Sequence, residues 1–391
     1  MPAARVPRVR QVIGLNSGTS LGSLDLAWVR CEGGAARPRL ELVEHREAPF
    51  SAELEARLQR LARGEGSVRE VAEAERLYGE AAAEGLLEAL AAWRLDAREV
   101  HVVGCHGQTI YHHCGAEPHA TLQVGSGAFL AERTGIRVAC DFRTRDLAAG
   151  GEGAPLSPLL DEVLFARERL PQLVVNLGGI SNASLVRRGL PALGFDGGPA
   201  NVQLDLALRW ATAGAERIDL GGARAVRGRV DEALLAALEE RFASWLSPLA
   251  PRSSGREEFG ERALLPLLES FGRARLDDAL ATLARFAARC FARRLRRYAP
   301  ELFDGRARPR VWWTGGGARH AALVGELERE LAPWTCAPLD AWSGAAGRPL
   351  QSAREALLFA LLADRRVAAV PSDLRSATGA LRPVVLGCLW S

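Results

Sequence analysis

The sequence contains no lysine, and all 50 of its basic residues are arginine. This absence excludes whole classes of enzyme, because a Walker A loop, a protein kinase and a pyridoxal enzyme each need a lysine at the phosphates or at the Schiff base. A compositional bias toward arginine, alanine and glycine accounts for the missing lysine. The lysine-dependent enzyme classes are excluded whatever the origin of that absence.

The sequence also lacks a large net charge and closely spaced cysteine pairs. Fifty basic and 47 acidic residues leave a formal charge of +3, whereas nucleic acids and acidic membranes attract proteins through a concentrated basic field. The seven cysteines are dispersed without a CxxC pair, and no apolar run reaches membrane-spanning length. We therefore expect reduced thiols, a cytoplasmic location and a small-molecule partner, with no nucleic-acid or membrane partner.

The length of 391 residues exceeds what one hydrophobic core usually serves, so two lobes are expected. Residues 11–30 are predicted to form two strands around a Gly/Ser/Thr turn, followed by an extended run at 40–43. Helices are then predicted at 52–63 and 68–94. Three consecutive antiparallel strands followed by helices do not match the start of a Rossmann fold. The strand, small-residue turn and strand pattern returns at 173–186, which indicates two lobes of related topology.

The remaining pattern sets the predicted lobe boundaries. A Gly- and Pro-containing stretch at 147–158 is typical of a crossover between lobes. We therefore predict an N-terminal lobe at 1–146, completed by 366–391, and a C-terminal lobe at 147–365. Further predicted elements are strands 100–104, 121–124, 137–141 and 310–314, a polar loop at 106–118, and helices 128–134, 200–210, 231–245, 276–298, 321–331 and 353–365.

Three glycine-rich turns are candidates for anion binding. At 17–20, glycine and hydroxyl residues could hold a phosphate without lysine, although a plain hairpin turn has the same composition. A similar turn lies at 176–182, and Gly315–Gly317 separates a strand from a helix. Together these turns favour a nucleotide site, and tight corners of the fold are the alternative.

Three polar segments carry further hypotheses. Asp196 could act as a general base or could simply stabilise a helix N-terminus. The histidines and cysteines of 105–119 do not match a standard zinc module, which favours a polar loop that hydrogen-bonds a substrate or itself. Residues 141–146 are either a solvated ion-pair cluster or a position from which Arg143 binds a carboxylate or phosphate.

Taken together, these segments resemble the motifs of the anhydro-N-acetylmuramic acid kinase family, over essentially the whole chain. The matching motifs are SGTS (17–20), HGQT (106–109), TLQVG (121–125), DFR (141–143), AAGGEGAPL (148–156), NLGGISN (176–182), FDGGPAN (195–201), SGRE (254–257), GGG (315–317) and TGA (378–380). The family belongs to the sugar kinase, actin and heat-shock ATPase superfamily. The resemblance implies an α/β protein with two ribonuclease-H-like lobes of mixed sheet plus helices around a nucleotide cleft.

The resemblance also implies an activity. The family uses ATP and Mg²⁺ to open the 1,6-anhydro ring of anhydro-N-acetylmuramic acid and to phosphorylate O6, in peptidoglycan recycling. We accordingly expect a cytoplasmic homodimer whose partners are an anhydrosugar and ATP. A catalytically weakened or non-catalytic nucleotide- or sugar-binding regulator of the same fold is the alternative.

The resemblance further implies the site residues. Asp196 would be the catalytic base, and Asp25 would orient magnesium through water. Nucleotide binding would use Gly18, Thr19, Ser20, Leu21, Gly22, Ser23, Leu24, Asp25, Gly178, Gly179, Gly315, Gly316 and Gly317. The sugar side would be lined by His106, Gln108, Thr109, Arg143 and Glu355.

The chain departs from the family pattern at several polar positions. Gly22 and Ser23 replace Asp and Gly, so the first acid of the phosphate segment is absent. Restoring both residues should strengthen the response to magnesium, unless another acid already fills the role. The other departures are Glu152 for Gln, Gly197 for Thr, His320 for Asn and Asp373 for Asn.

Overall fold

A computed structural model describes residues 8–18, 22–113, 119–125, 127–247, 258–305, 308–342, 344 and 350–391. The chain divides into two compact units, and the first contains both ends of the chain. The first unit comprises Met1–Arg167 and Trp342–Ser391, and the second comprises Glu168–Ala341. None of the helices in the described ranges has the length and apolarity needed to span a bilayer.

The first unit is built on a six-stranded sheet in the order β13-β7-β4-β1-β2-β3. Strands β1, β2 and β3 are antiparallel, whereas β4 and β7 run parallel to β1, and β13 is an antiparallel edge strand. A separate two-stranded sheet pairs β5 with β6. The strands are β1 (Val9–Asn16), β2 (Ser23–Glu32), β3 (Arg39–Pro49), β4 (Val100–Cys105), β5 (Gln108–His113), β6 (Ala120–Val124), β7 (Val138–Cys140) and β13 (Cys388–Trp390).

Helices flank this sheet. Helix α2 begins at a capping box, in which the Ser67 side chain accepts from the Glu70 N–H and the Glu70 carboxylate accepts from the Ser67 N–H. Helix α13 packs directly on β1 and β4, because Gly14 and Gly104 leave no Cβ to meet its backbone. The helices of this unit are α1 (Ala52–Ala62), α2 (Val68–Trp93), α3 (Gly127–Thr134), α4 (Thr144–Leu147), α5 (Ser157–Leu164) and α13 (Leu350–Val367).

The second unit contains a five-stranded sheet in the order β10-β9-β8-β11-β12. Strands β8, β9 and β10 are antiparallel, and β11 and β12 are parallel to β8. The strands are β8 (Gln172–Leu177), β9 (Ile180–Val186), β10 (Leu193–Pro199), β11 (Arg310–Thr314) and β12 (Thr335–Pro338). The helices are α6 (Asn201–Ala211), α7 (Ala223–Arg227), α8 (Glu232–Arg241), α9 (Ala243–Leu246), α10 (Glu261–Phe271), α11 (Leu276–Tyr298) and α12 (Ala321–Leu331).

The two sheets share one topology. In each unit three antiparallel strands are followed by two parallel ones in the spatial order 3-2-1-4-5, the order of the ribonuclease H fold. The predicted fold class and internal duplication are therefore confirmed. Strands β5, β10, β12 and β13 were not predicted, and 106–118 is wrongly predicted as a loop throughout, because β5 occupies 108–113. The short β5 carries polar side chains that obscure the alternation of a strand.

The predicted lobe boundaries are wrong, because 147–167 and 342–365 belong to the first unit. Arg354 on α13 donates to both carboxylate oxygens of Asp161 on α5, at 2.6 Å each. Arg10 on β1 makes a second two-pronged ion pair with Asp364 of α13, at 2.5 and 2.8 Å. These buried pairs fasten α5 and α13 to the first sheet, an association between residues far apart in sequence.

Candidate functional site

The end of strand β1 carries the first predicted phosphate segment. Asn16 and Ser17 are buried there. The Asn16 amide donates to Glu355 Oε2 at 2.5 Å. The Ser17 hydroxyl lies 2.9 Å from the Tyr78 hydroxyl and donates to the main-chain oxygen of Gly107 at 3.3 Å. The strand end is thereby tied to α13, to α2 and to the HGQT motif.

The phosphate segment itself is described on either side of a gap. Thr19, Ser20 and Leu21 lie outside the described residues. At Gly22, where the family carries an acid, a Cβ would stand 3.6 Å from Glu55 Oε1. A carboxylate from α1 therefore already lies beside the position of the missing one.

Asp25 faces Asn16 across the β1–β2 pair. Its Oδ1 lies 3.4 Å from His45 Nε2. Burial raises the pKa of the nearby Glu355, and the charge of Asp25 raises it further, against the opposing effect of the Asn16 hydrogen bond. Asp25, Glu355 and Asn16 thus form one oxygen-rich group at the end of the hairpin.

This group has the chemistry of a partial magnesium site. Magnesium is usually held by one or two carboxylates, with water and phosphate oxygens completing the coordination. Within the described ranges, no group of three or more His, Cys, Asp or Glu residues is arranged to hold a metal ion. The donors fit a cation held through water and phosphate and do not form a complete protein cage.

His106 is held as a neutral ring. It is buried, and it stacks on Phe359 with the ring centroids 4.4 Å apart. Its Nε2 accepts from Arg143 Nε at 3.0 Å. Burial, followed by the Arg143 charge, holds the pKa of His106 well below its ordinary value. Arg143 also donates to the Gly153 oxygen at 2.8 Å, which links three of the matched motifs.

Two buried polar atoms of the HGQT motif lack hydrogen-bond partners among the described residues. They are Nδ1 of His106 and Oε1 of Gln108. Thr109 follows and its hydroxyl accepts from Gln123 at 3.3 Å. Because nearly all buried polar groups in proteins are paired, these atoms indicate a place where a polar ligand completes the hydrogen bonding.

The segment after β7 is not a solvated ion-pair cluster. Asp146 is fully buried, and it accepts from the Gly153 N–H at 2.8 Å and from the Thr378 hydroxyl at 3.0 Å. Burial raises the pKa of Asp146. The Glu152 N–H donates to the Thr378 oxygen at 2.9 Å. Asp146 therefore joins the 148–156 and 378–380 motifs and supports the segment that carries Arg143.

Asp196 lies within strand β10, opposite Asn182 of β9. Helix α6 begins only at Asn201, with Ala200 as its N-cap. The helix-terminal interpretation of Asp196 is therefore wrong. A bulge follows Asp196, since the pairing register shifts between Asp196 and Gly198.

Helix α11 supports this bulge. A Cβ at Gly197 would overlap Phe291 and lie 2.7 Å from Ser181 Oγ. One turn further along α11, Arg294 donates through Nε to the Asp196 oxygen at 3.2 Å. Gly197, the departure from the family threonine, thus leaves room for the Phe291 ring.

The other two glycine turns lie together in the second unit. The N–H of Asn201 donates to the Gly178 oxygen at 3.1 Å, and those of Ala200 and Val202 donate to Gly179 at 2.9 and 3.0 Å. Gly315 has a φ of 82°, and a Cβ there would overlap Asn176. At Gly316 the surrounding space is open. These turns therefore form one backbone-lined surface.

Two of the remaining departures are locally accommodated. His320 is the N-cap of α12, and its Nδ1 accepts from the Leu323 N–H at 3.2 Å, the role an asparagine would fill. Asp373 accepts from Arg375 Nε at 2.9 Å and Nη2 at 2.7 Å. The SGRE motif at 254–257 lies outside the described residues.

Within each unit, sequence reasoning missed residues that support the candidate site residues. Phe359 and Tyr78 are apolar members of helical patterns, and their contacts with His106 and Ser17 join distant segments. Arg294 is one of many arginines on α11. Burial distinguishes Arg294 from the others. The apolar face of α11 was the one sequence signal for that burial.

Comparison with known proteins shows the family of the chain. The family model described as anhydro-N-acetylmuramic acid kinase matches residues 10–391. The chain belongs to this family. An anhydro-N-acetylmuramic acid kinase of Gloeobacter violaceus is 37% identical over 96% of this chain and 97% of its own length. That of Pseudomonas paraeruginosa is 37% identical over 97% and 98%, and that of Streptomyces coelicolor is 36% identical over 97% and 93%. The predicted family is confirmed.

Proposed function

We propose that this protein is an ATP-dependent anhydro-N-acetylmuramic acid kinase. It opens the 1,6-anhydro ring and phosphorylates O6, giving N-acetylmuramic acid 6-phosphate in peptidoglycan recycling. The observation that carries the proposal is the family match from residue 10 to residue 391. Nothing in the comparisons favours the non-catalytic alternative.

On the sugar side, we assign binding to His106, Gln108, Thr109, Arg143 and Glu355. The support is the pair of buried polar atoms without partners, His106 Nδ1 and Gln108 Oε1. Neutral His106 offers Nδ1–H as a donor, because its Nε2 accepts from Arg143. An anhydrosugar rich in hydroxyl and amide groups supplies the matching donors and acceptors.

For the nucleotide, we assign the 18–25 segment and the glycine turns Gly178–Gly179 and Gly315–Gly317. Main-chain N–H groups and hydroxyls would bind the phosphates, which is consistent with the absence of lysine. The open space at Gly316 leaves the backbone accessible to a ligand.

In the chemical step, Asp196 accepts a proton from the water that attacks C1. The bond between C1 and O6 breaks, and O6 receives the terminal phosphoryl group of ATP. A carboxylate suits the role of proton acceptor because it is ionised near neutral pH. The Arg294 hydrogen bond to the Asp196 main chain fixes the strand from which this carboxylate extends.

Magnesium, when bound, neutralises phosphate charge during phosphoryl transfer. Asp25 would hold it through water, with the Asn16 and Glu355 oxygens nearby. Burial raises the pKa of Glu355, and a cation brought close would oppose that shift by favouring the ionised form of the side chain.

We further propose a cytoplasmic homodimer. Sedimentation of the purified protein across a range of concentrations measures the oligomeric state. A protein that sediments as a monomer throughout would contradict the dimer without bearing on the kinase.

The function is tested by incubating the full chain with ATP, magnesium and anhydro-N-acetylmuramic acid. The expected result is ADP together with an equal amount of a sugar that has gained one water and one phosphoryl group. Ring-opened N-acetylmuramic acid is the control substrate. Phosphorylation of the ring-opened sugar alone, or ATP binding without a sugar product, would overturn the proposal.

A further inference from the structure

The edge strand β13 places one thiol against another. Cys388 pairs directly with Cys140 of β7, and their sulfurs lie 3.4 Å apart although the residues are 248 positions apart in sequence. Cys140 is buried, whereas Cys388 is partly exposed. The structure therefore brings together two cysteines that the sequence shows only as dispersed.

The two sulfurs are close enough to be joined by a small movement. A disulfide has an S–S distance of about 2.05 Å, so the sulfurs would have to approach by roughly 1.4 Å. Strand β13 has only three residues and lies at the edge of the sheet. It can shift toward β7 without disturbing a strand on its other side.

The electrostatic setting distinguishes this pair from the buried thiols. The hydrogen bond from Cys140 holds the pKa of Cys388 below its usual value. Burial instead raises the pKa of Cys31, Cys105 and Cys290. Since the thiolate is the reactive form, the partly exposed Cys388 is the nucleophile of the pair and Cys140 is the resolving thiol.

We propose that Cys140 and Cys388 form a peroxide-oxidisable dithiol site that closes to an intramolecular disulfide. The Cys388 sulfur attacks hydrogen peroxide, the O–O bond breaks, and Cys388 sulfenic acid and one water are formed. The Cys140 sulfur then attacks the sulfenic sulfur, and the S–O bond breaks to release a second water. Two thiols are oxidised and one peroxide is reduced, and a dithiol reductant reverses the change.

The site stands independently of the proposed kinase activity, because it rests on the pairing of β13 with β7 and on the two thiols themselves. Its position nevertheless has a consequence for the first unit. Cys140 immediately precedes Asp141 and lies three residues before Arg143, which bonds His106. Oxidation would cross-link the edge strand to the segment that supports this arginine.

The test uses the full chain carrying Cys336→Ser and Cys114→Ser. The first change removes a partly exposed thiol outside the pair, and the second removes the cysteine that lies outside the described residues. The protein is treated with hydrogen peroxide, unfolded, labelled with a maleimide and digested for mass spectrometry. The expected product is one peptide pair joining positions 140 and 388 within one chain, with the loss of two free thiols and recovery on reduction.

Three variants sharpen the result. Cys388→Ser should abolish the cross-link, and Cys31→Ser, at a buried thiol outside the pair, should leave it intact. In Cys140→Ala, Cys388 should accumulate as a sulfenic acid that dimedone traps. The proposal is overturned if both thiols stay free, if Cys388 is over-oxidised while Cys140 remains reduced, or if the linkage joins two chains. The cross-link itself is measured with Cys140 and Cys388 both intact, so misfolding of Cys140→Ala would not remove the test.

Discussion

The guanidinium Nε of Arg294 donates a hydrogen bond to the main-chain oxygen of Asp196 at 3.2 Å. Arg294 is buried, and its guanidinium lies over the Trp245 ring at 4.3 Å from the centroid. Burial lowers the pKa of Arg294, and the charge of Asp196 opposes that shift. A cation fixed beneath the bulge thus orients the strand that carries the proposed base.

Arg294→Met should therefore impair the chemical step more than binding. We expect kcat to fall about 10-fold to 100-fold, because a small displacement of a catalytic group has effects of this size, while the sugar KM changes little. Arg294→Lys should recover part of the activity. Steady-state kinetics of folded variants measure both constants.

Arg293→Met is the matched control. Arg293 is the preceding residue on α11 and forms an exposed ion pair with Glu239 at 3.2 Å. Its removal should leave kcat near the parent value. An unchanged kcat in Arg294→Met, or equal losses in both variants, would argue against a positioning role for Arg294.

Gly197→Thr, which restores the family residue, should destabilise this chain. The added Cβ would overlap Phe291, and crowding a packed core costs about 1–3 kcal/mol. Adding Phe291→Leu should return part of the stability. Urea unfolding compares the variants with the control Gly325→Thr, at a position where the surrounding space is open. An unchanged free energy of unfolding in Gly197→Thr would contradict the packing account.

The departure at Gly22 should be compensated by Glu55. Its Oε1 lies 3.6 Å from a Cβ at position 22, so two carboxylates would repel there. Gly22→Asp with Ser23→Gly should gain no magnesium response in the parent. In a Glu55→Gln background, the same change should lower the half-maximal magnesium concentration by about 5-fold. This factor corresponds to about 1 kcal/mol, the repulsion between two like charges ~4 Å apart in water, which Glu55→Gln removes.

Magnesium titrations of the four proteins at saturating ATP measure this coupling. Equal responses to the paired change in both backgrounds would mean that Glu55 does not replace the missing acid. A stronger magnesium response in the parent would support the simpler prediction made from the sequence.

His320 should make stability depend on pH. Burial lowers its pKa below the ordinary value, so the unfolded chain takes up a proton that the folded state resists. Stability is therefore lost as pH falls below the unfolded pKa of about 6.5. His320→Asn keeps an N-cap side chain and removes the titration.

Thermal unfolding of the parent and His320→Asn at about pH 7.5 and about pH 5 tests this effect. The variant should lose less stability on acidification, and subtracting the two profiles cancels the groups common to both proteins. Parallel profiles would show that His320 contributes no pH dependence.

These cases show what the sequence could reveal. The opening strand, turn and strand of each sheet were predictable because that pattern is local, and the glycine turns were recognisable as motifs. Glu55 beside Gly22 and Phe291 beside Gly197 were not predictable, since each contact joins residues that only the folded chain brings together. The lobe boundary failed for the same reason, because the Asp161–Arg354 ion pair decides where α5 belongs.

The central claim is that Asp196 directs water to C1 while O6 is phosphorylated. The most direct measurement is to run the reaction in ¹⁸O-labelled water and to locate the label by mass spectrometry of sugar fragments. The product is analysed immediately after mixing. The parent should place ¹⁸O at C1 and none in the phosphoryl group. Folded Asp196→Asn should make product at least about 100-fold more slowly. The control Asp304→Asn, at an exposed position, should match the parent. Label in the phosphoryl group of the sugar product, or undiminished turnover in Asp196→Asn, would contradict the account.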